Sequence, residues 1–120
     1  SIFPYWGNGG IEKYVLMCYA RHMEVAFDDK TLQRLYTDPQ ATAGFGTAIE
    51  RGFRKVMGII VSAVDERDLR ALRGLRFEKL KGSRAHQYSL RINDQWRLII
   101  EIRGEGPRKI IGVLAIEDYH

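Results

Sequence analysis

Cysteine is almost absent from this 120-residue chain, and Cys18 stands alone. One thiol can neither staple a fold nor build a thiolate zinc site, so the expected compartment is cytoplasmic or redox-indifferent. Histidine is nearly as sparse. His22, His86 and His120 lack metal-ligand spacing, and no metal is expected. Long apolar runs are missing too; none approaches the roughly 20 residues that span a bilayer, so no membrane partner is expected. Tyr14 to Ala20 is apolar, but too short and badly flanked for a signal peptide. Repeats and low-complexity stretches are also lacking. What is present, 45% hydrophobic residues, suffices for one modest core and excludes disorder.

Charge is unevenly placed. The chain carries +4 overall, yet residues 67–103 hold ten Arg or Lys against four acids, a surplus of six. The remainder is therefore net negative. Concentration of this kind suits a polyanionic partner, although a solvated basic face gives the same count.

The first 22 residues differ from the rest. They open with aromatics and the turn-like Gly7-Asn8-Gly9-Gly10, and Ile11 to Tyr19 suits a strand or a short helix. His22-Met23 reads as a start codon with something in front of it. Residues 1–22 are expected to be an extension, either vector-derived or from an upstream start, or else a native segment that packs on the domain or a partner. Residues 23–120 form the expected domain. Glu24 to Phe27 suits a strand, and Asp28 or Asp29 caps a helix carrying Leu32, Leu35 and Tyr36 that ends at Asp38-Pro39. Ile49, Phe53, Val56, Met57, Ile60 and Val64 recur at steps of 4, 3, 1, 3 and 4, one face of a helix over 47–64. Residues 65–72 add a helical turn with Leu69 and Leu72 on one side.

After Gly74 the period becomes two. Tyr88, Leu90 and Ile92 alternate with polar residues, as do Trp96, Leu98, Ile100 and Ile102, and Lys109 to Ile116 reads as a central strand after the 104–107 turn. Helices followed by an antiparallel meander make an α+β domain, with N-terminal helices packed on a small twisted antiparallel sheet.

Burial fixes the hairpin register. A three-residue loop pairs Ile92 with Trp96 and sets Arg91 opposite Arg97, whereas a two-residue loop would send one arginine to the apolar face. Facing like charges are unfavourable. They make sense with a phosphate between them, or with each arginine paired to a local acid such as Glu101. Gly82 allows a tight turn flanked by Lys81 and Arg84. The terminal Asp118, Tyr119 and His120 leave the last strand with proton donors and acceptors. Strand cleavage by an RNA 2′-OH requires a base, an acid and cations for the crowded phosphate, and histidine titrates near neutrality.

Together these blocks carry a family resemblance. Asp68-Leu69-Arg70, Arg76-Phe77-Glu78-Lys79-Leu80-Lys81-Gly82, the run from Gln87 to Arg97, and Asp118-Tyr119-His120 resemble the HigB (plasmid killer) branch of the RelE/ParE toxins of type II toxin-antitoxin systems. The resemblance covers about 23–120 and is strongest in the second half. It implies a RelE-like fold and a ribosome-dependent mRNA endonuclease that cuts translated message in the A site, without a cofactor, through a 2′,3′-cyclic phosphate. It implies catalytic roles for Lys81, Arg97, Asp118, Tyr119 and His120, with base and acid shared between Tyr119 and His120 in unassigned order. Arg76, Lys79, Arg84 and Arg91 would bind RNA. The implied partners are the ribosome, mRNA and a helix-turn-helix, HigA-like antitoxin that contacts operator DNA.

There are departures. Glu78 stands where some relatives have a catalytic histidine, Ser83 where an acid is frequent, and Leu75 where a polar residue is frequent. Two alternatives stay open at this point. One is a gyrase-inhibiting toxin of the same fold, which typically lacks the Lys81, Arg97, Tyr119 and His120 set. The other is a decayed RNA-binding module.

Overall fold

Asp29 starts the first helix. Its carboxylate accepts from the Thr31 and Leu32 N–H groups at 2.7 and 3.1 Å, which caps α1 (Lys30–Thr37). The computed structural model describes residues 2–6, 12–16, 23–104 and 109–118, the first two segments as backbone only.

The second helix, α2 (Thr47–Ser62), begins at Gly46, which has no side chain to cap it. Glu50 in the first turn instead holds the segment leading into the helix: its buried carboxylate accepts from the Ala43 and Phe45 N–H groups at 2.8 and 3.2 Å. Arg54 ties α2 to the end of α1 by donating to the Leu35, Asp38 and Ala41 carbonyls. Ile49, Phe53, Val56, Met57 and Ile60 are buried as the spacing predicts, each worth about 1.5–3 kcal/mol against exposure.

Two expected core positions are exposed. Ala63 turns extended after Ser62, which takes Val64 off the helical face and leaves it 50% exposed. Leu72 is likewise extended, just beyond α3 (Glu66–Ala71), and is 47% exposed. Leu69, inside α3, is fully buried.

The sheet has the order β1-β2-β3-β7-β6-β5-β4. Its strands are β1 (Ile2–Trp6), β2 (Glu12–Leu16), β3 (Glu24–Phe27), β4 (Glu78–Lys79), β5 (Gln87–Arg91), β6 (Trp96–Arg103) and β7 (Ile110–Asp118). The strands β4 to β7 form the expected antiparallel meander. One pair departs from it, because β3 runs parallel to β7 and the sheet is mixed. Connectivity explains this. The helices intervene between β3 and β4, so on that side β3 meets the last strand, β7, and not β4. The α+β reading holds.

One sheet face packs on the helices through Val25, Phe27, Leu90, Leu98, Ile100, Ile111 and Val113. A bulge at Leu114 lets Ile99 oppose Ala115 while Ile100 opposes Val113. Residues 2–6 and 12–16 pair as a hairpin and extend the sheet beyond β3. Gly104 opens the expected turn in a left-handed conformation, but residues 105–108 lie outside the described residues.

Candidate active site

Alternation along β6 sends Leu98 and Ile100 into the core and Arg97 and Ile99 to the face away from the helices. That outer face gathers most of the candidate site. The register is the one burial selects: Arg91 is the Cα partner of Arg97, and the Ile92 N–H donates to the Trp96 carbonyl at 2.9 Å. On its other side Arg97 faces Glu117 of β7.

Arg97 is not an open surface fork. It is only 6% exposed. Its Nη2 donates to Ser89 Oγ at 2.9 Å, to the Ser89 carbonyl at 3.3 Å and to the Arg76 carbonyl at 2.5 Å. Glu78 brings a carboxylate oxygen to 4.0 Å of the same nitrogen. Arg91 turns instead to Asp94, with Nη2 2.6 Å from Oδ1. That contact holds the Asp94 carboxyl below its usual range. The facing arginines are therefore accommodated by separate local partners. Asp94 and Glu78 fill the role that Glu101 was expected to fill, and Glu101 itself accepts from Arg103.

The basic turn is built as expected around Gly82, whose φ is +66°. Lys81 is exposed where the turn begins, and Lys79 is exposed on β4. Arg84 folds across the sheet: Nη1 and Nη2 donate to the two Glu117 oxygens at 3.0 and 2.7 Å, and Nε donates to Gln87 Oε1 at 2.9 Å. Arg76 has an exposed side chain, while its carbonyl faces inward to Arg97. Asp118 ends β7 and accepts from Gln95 Nε2 at 2.9 Å. Tyr119 and His120 lie outside the described residues.

Arg97, Glu78, Ser89, Arg84 and Glu117 thus share one region of the outer face, and Lys81 stands at the turn beside it. Further along β6, Arg103 forms a second charged cluster with Glu101 and Asp28 and lies over Gly112. These contacts raise the Arg103 pKa, chiefly through the Asp28 hydrogen bond. Much of the positive surplus is therefore internally paired. A separate cleft of about 410 Å³ lies between α2 and residues 71–75, with Arg91 at its rim.

Sequence reasoning missed Ser89 and Glu117. Both were findable from register: Glu117 opposes Arg97 directly, and Ser89 sits diagonally across from it. No group of His, Cys, Asp and Glu among the described residues could hold a metal ion. Among the same residues, no helix is long and apolar enough to cross a membrane.

Residues 25–111 match the family model described as a RelE-like toxin of type II toxin-antitoxin system HigB. The chain belongs to this HigB-like toxin family. It is also 35% identical over 79 residues to Toxin HigB-1 of Vibrio cholerae serotype O1, covering 66% of this chain and 83% of the relative. A solved YoeB/ParE toxin from Agrobacterium tumefaciens shares the fold. Its TM-score is 0.51 at 17% identity, over 80% of this chain and 98% of that one. The RelE-like fold and the toxin identity implied by the resemblance therefore hold. As a toxin of a type II system, this HigB-like chain has an antitoxin as its partner. The family match leaves out β1, β2 and residues 112–120.

Proposed function

We propose that this HigB-like toxin is a ribosome-dependent endoribonuclease that cuts translated mRNA in the A site. The observation that carries the reading is the anchored Arg97 on the outer sheet face, within 4.0 Å of Glu78 and opposite Glu117. A cation held rigidly in a water-poor position favours charge that develops on phosphate. Arg84 and Arg91 lie on the same face with the exposed Lys81 at its edge, and Arg76 adds a further exposed cation, whereas Lys79, the register partner of Tyr88, falls on the alternate face of β4.

In the proposed reaction the substrate 2′-oxygen attacks the adjacent phosphorus while a base takes its proton. The bond from phosphorus to the 5′-oxygen breaks, and an acid protonates the departing oxygen. The products are a 2′,3′-cyclic phosphate and a 5′-hydroxyl. Arg97 and Lys81 stabilise the crowded phosphate, and His120 and Tyr119 share the base and acid roles beside Asp118. No metal or cofactor is invoked, since side chains supply every group the reaction needs. The partner is a helix-turn-helix, HigA-like antitoxin that carries the complex to operator DNA, and the toxin acts in the cytoplasm. Residues 1–22 are read as an extension to the toxin domain of 23–120.

Primer extension on a reporter mRNA, with ribosomes and with or without the protein, tests this. Cuts within codons of translated message are the expected result. Loss of DNA supercoiling with intact message would overturn the nuclease reading in favour of a gyrase inhibitor.

A further inference from the structure

Arg76 is the one non-glycine residue among those described with a left-handed backbone, at φ 45° and ψ 53°. L-residues rarely adopt that conformation, and at functional sites such conformations commonly serve a geometric need. Here the need is visible. Arg76 closes the 3-10 turn at residues 73–75, and its carbonyl receives Arg97 Nη2. Ser89, fully buried on β5, presents both its hydroxyl and its carbonyl to the same nitrogen. Three acceptors from two separate chain segments converge on one Nη.

We infer that Ser89 and the main chain of Arg76 are positioning residues that fix the Arg97 guanidinium on the outer face. Neither acts on RNA in this role. Serine is suited to the task because its short hydroxyl reaches the guanidinium from within a closely packed strand. The Arg76 side chain is exposed and dispensable to it; the conformation of residue 76 is what matters.

The effect on cleavage rests on the nuclease reading above, but the anchoring does not, so two readouts are needed. The first is the ¹⁵N guanidinium NMR signal of Arg97, whose Nη rotation is slowed while Nη2 is held. Ser89→Ala should speed that rotation at least tenfold. Arg76→Gly, which adopts positive φ readily, should leave it unchanged, and Arg76→Val, β-branched and disfavoured there, should speed it. Circular dichroism confirms folding of each variant.

The second readout is single-turnover cutting of ribosome-bound message. Ser89→Ala and Arg76→Val should lower the maximal rate by about 10- to 100-fold, the scale for a misplaced catalytic group. For Ser89→Ala the half-saturating ribosome concentration should stay within about twofold, because that variant leaves every binding cation in place; the two Arg76 variants lose the same exposed cation and are compared with each other. Arg76→Gly, which loses the same cation but keeps the left-handed backbone, should cut at least tenfold faster than Arg76→Val. Unchanged Arg97 rotation in Ser89→Ala, or equal losses in Arg76→Gly and Arg76→Val, would overturn the inference. A wild-type protein that cuts nothing while Arg97 rotation responds as stated sinks the nuclease reading and supports the anchoring.

Discussion

Arg84 and Glu117 meet end to end, two guanidinium nitrogens on two carboxylate oxygens at 3.0 and 2.7 Å, and so bind the Gly82 turn to β7. Bidentate geometry makes this one of the stronger arrangements of its kind. Both side chains keep more than a third of their exposure, so its worth in stability is only about 0.5–1 kcal/mol. Its larger consequence concerns anions, because Glu117 occupies the fork that a phosphate would use. Glu117→Gln should therefore tighten binding of a short RNA and steepen the slope of log affinity against log salt by about one. A salt titration by fluorescence anisotropy measures this, and an unchanged slope would show that Arg84 takes no phosphate.

Lys81 separates chemistry from folding. Its side chain is exposed at the mouth of the turn, so Lys81→Ala should leave the melting temperature within about 1 °C. If Lys81 stabilises the crowded phosphate, the same variant should cut message at least 10²-fold more slowly and relieve growth arrest. His120→Ala should behave alike. Normal cutting by both variants would remove them from the site.

Much of this arrangement was legible because burial constrains a sheet so tightly. The polar and apolar alternation from Tyr88 to Ile102 allows only one hairpin register, and that register sets Arg91 against Arg97. Adjacency could be read in this way, but the direction of each guanidinium could not. A long side chain reaches whichever acceptors the tertiary structure brings, and the Arg76 carbonyl comes from a turn that no local pattern announces. Asparagine or glycine would have advertised a left-handed residue; arginine does not. The helix stripe failed at Val64 and Leu72 because periodicity continues in sequence after the backbone has left the helix. The parallel pairing of β3 with β7 was hidden for another reason, since it depends on how the helices return the chain.

Gly82 and Gly112 predict different kinds of damage. At Gly82 an added Cβ meets nothing within 4 Å, but φ is +66°. Gly82→Ala should cost about 1 kcal/mol through backbone strain alone. At Gly112 the backbone is ordinary, yet a Cβ would fall 2.5 Å from the Arg103 guanidinium carbon. Gly112→Ala must displace the Arg103 guanidinium, which strains its contacts with Asp28 and Glu101 and loosens the link between β6 and the residue after β3. Urea denaturation should then show Gly112→Ala,Arg103→Ala to be less damaging than the sum of its single changes, a coupling absent between Gly82→Ala and Arg103→Ala.

Acid should weaken one contact between α3 and the β7 side of the sheet. Lys109 Nζ lies 2.7 Å from Glu66 Oε1, and that hydrogen bond is the main cause of a Glu66 pKa below its ordinary 4.5. A carboxyl whose pKa is depressed by folding adds stability above its unfolded value. It loses that stability as pH falls through the folded value. The pair's contribution, about 1 kcal/mol for a partly buried contact, should therefore be intact at pH 7 and be lost progressively as pH falls from 4.5 through the lower folded value. Glu66→Gln removes it at every pH. The variant should melt below the wild type at pH 7, and the two should converge as pH falls well below 4.5. Parallel melting curves with a constant offset across pH 3 to 7 would show that the Glu66 charge contributes nothing and that the loss is one of packing.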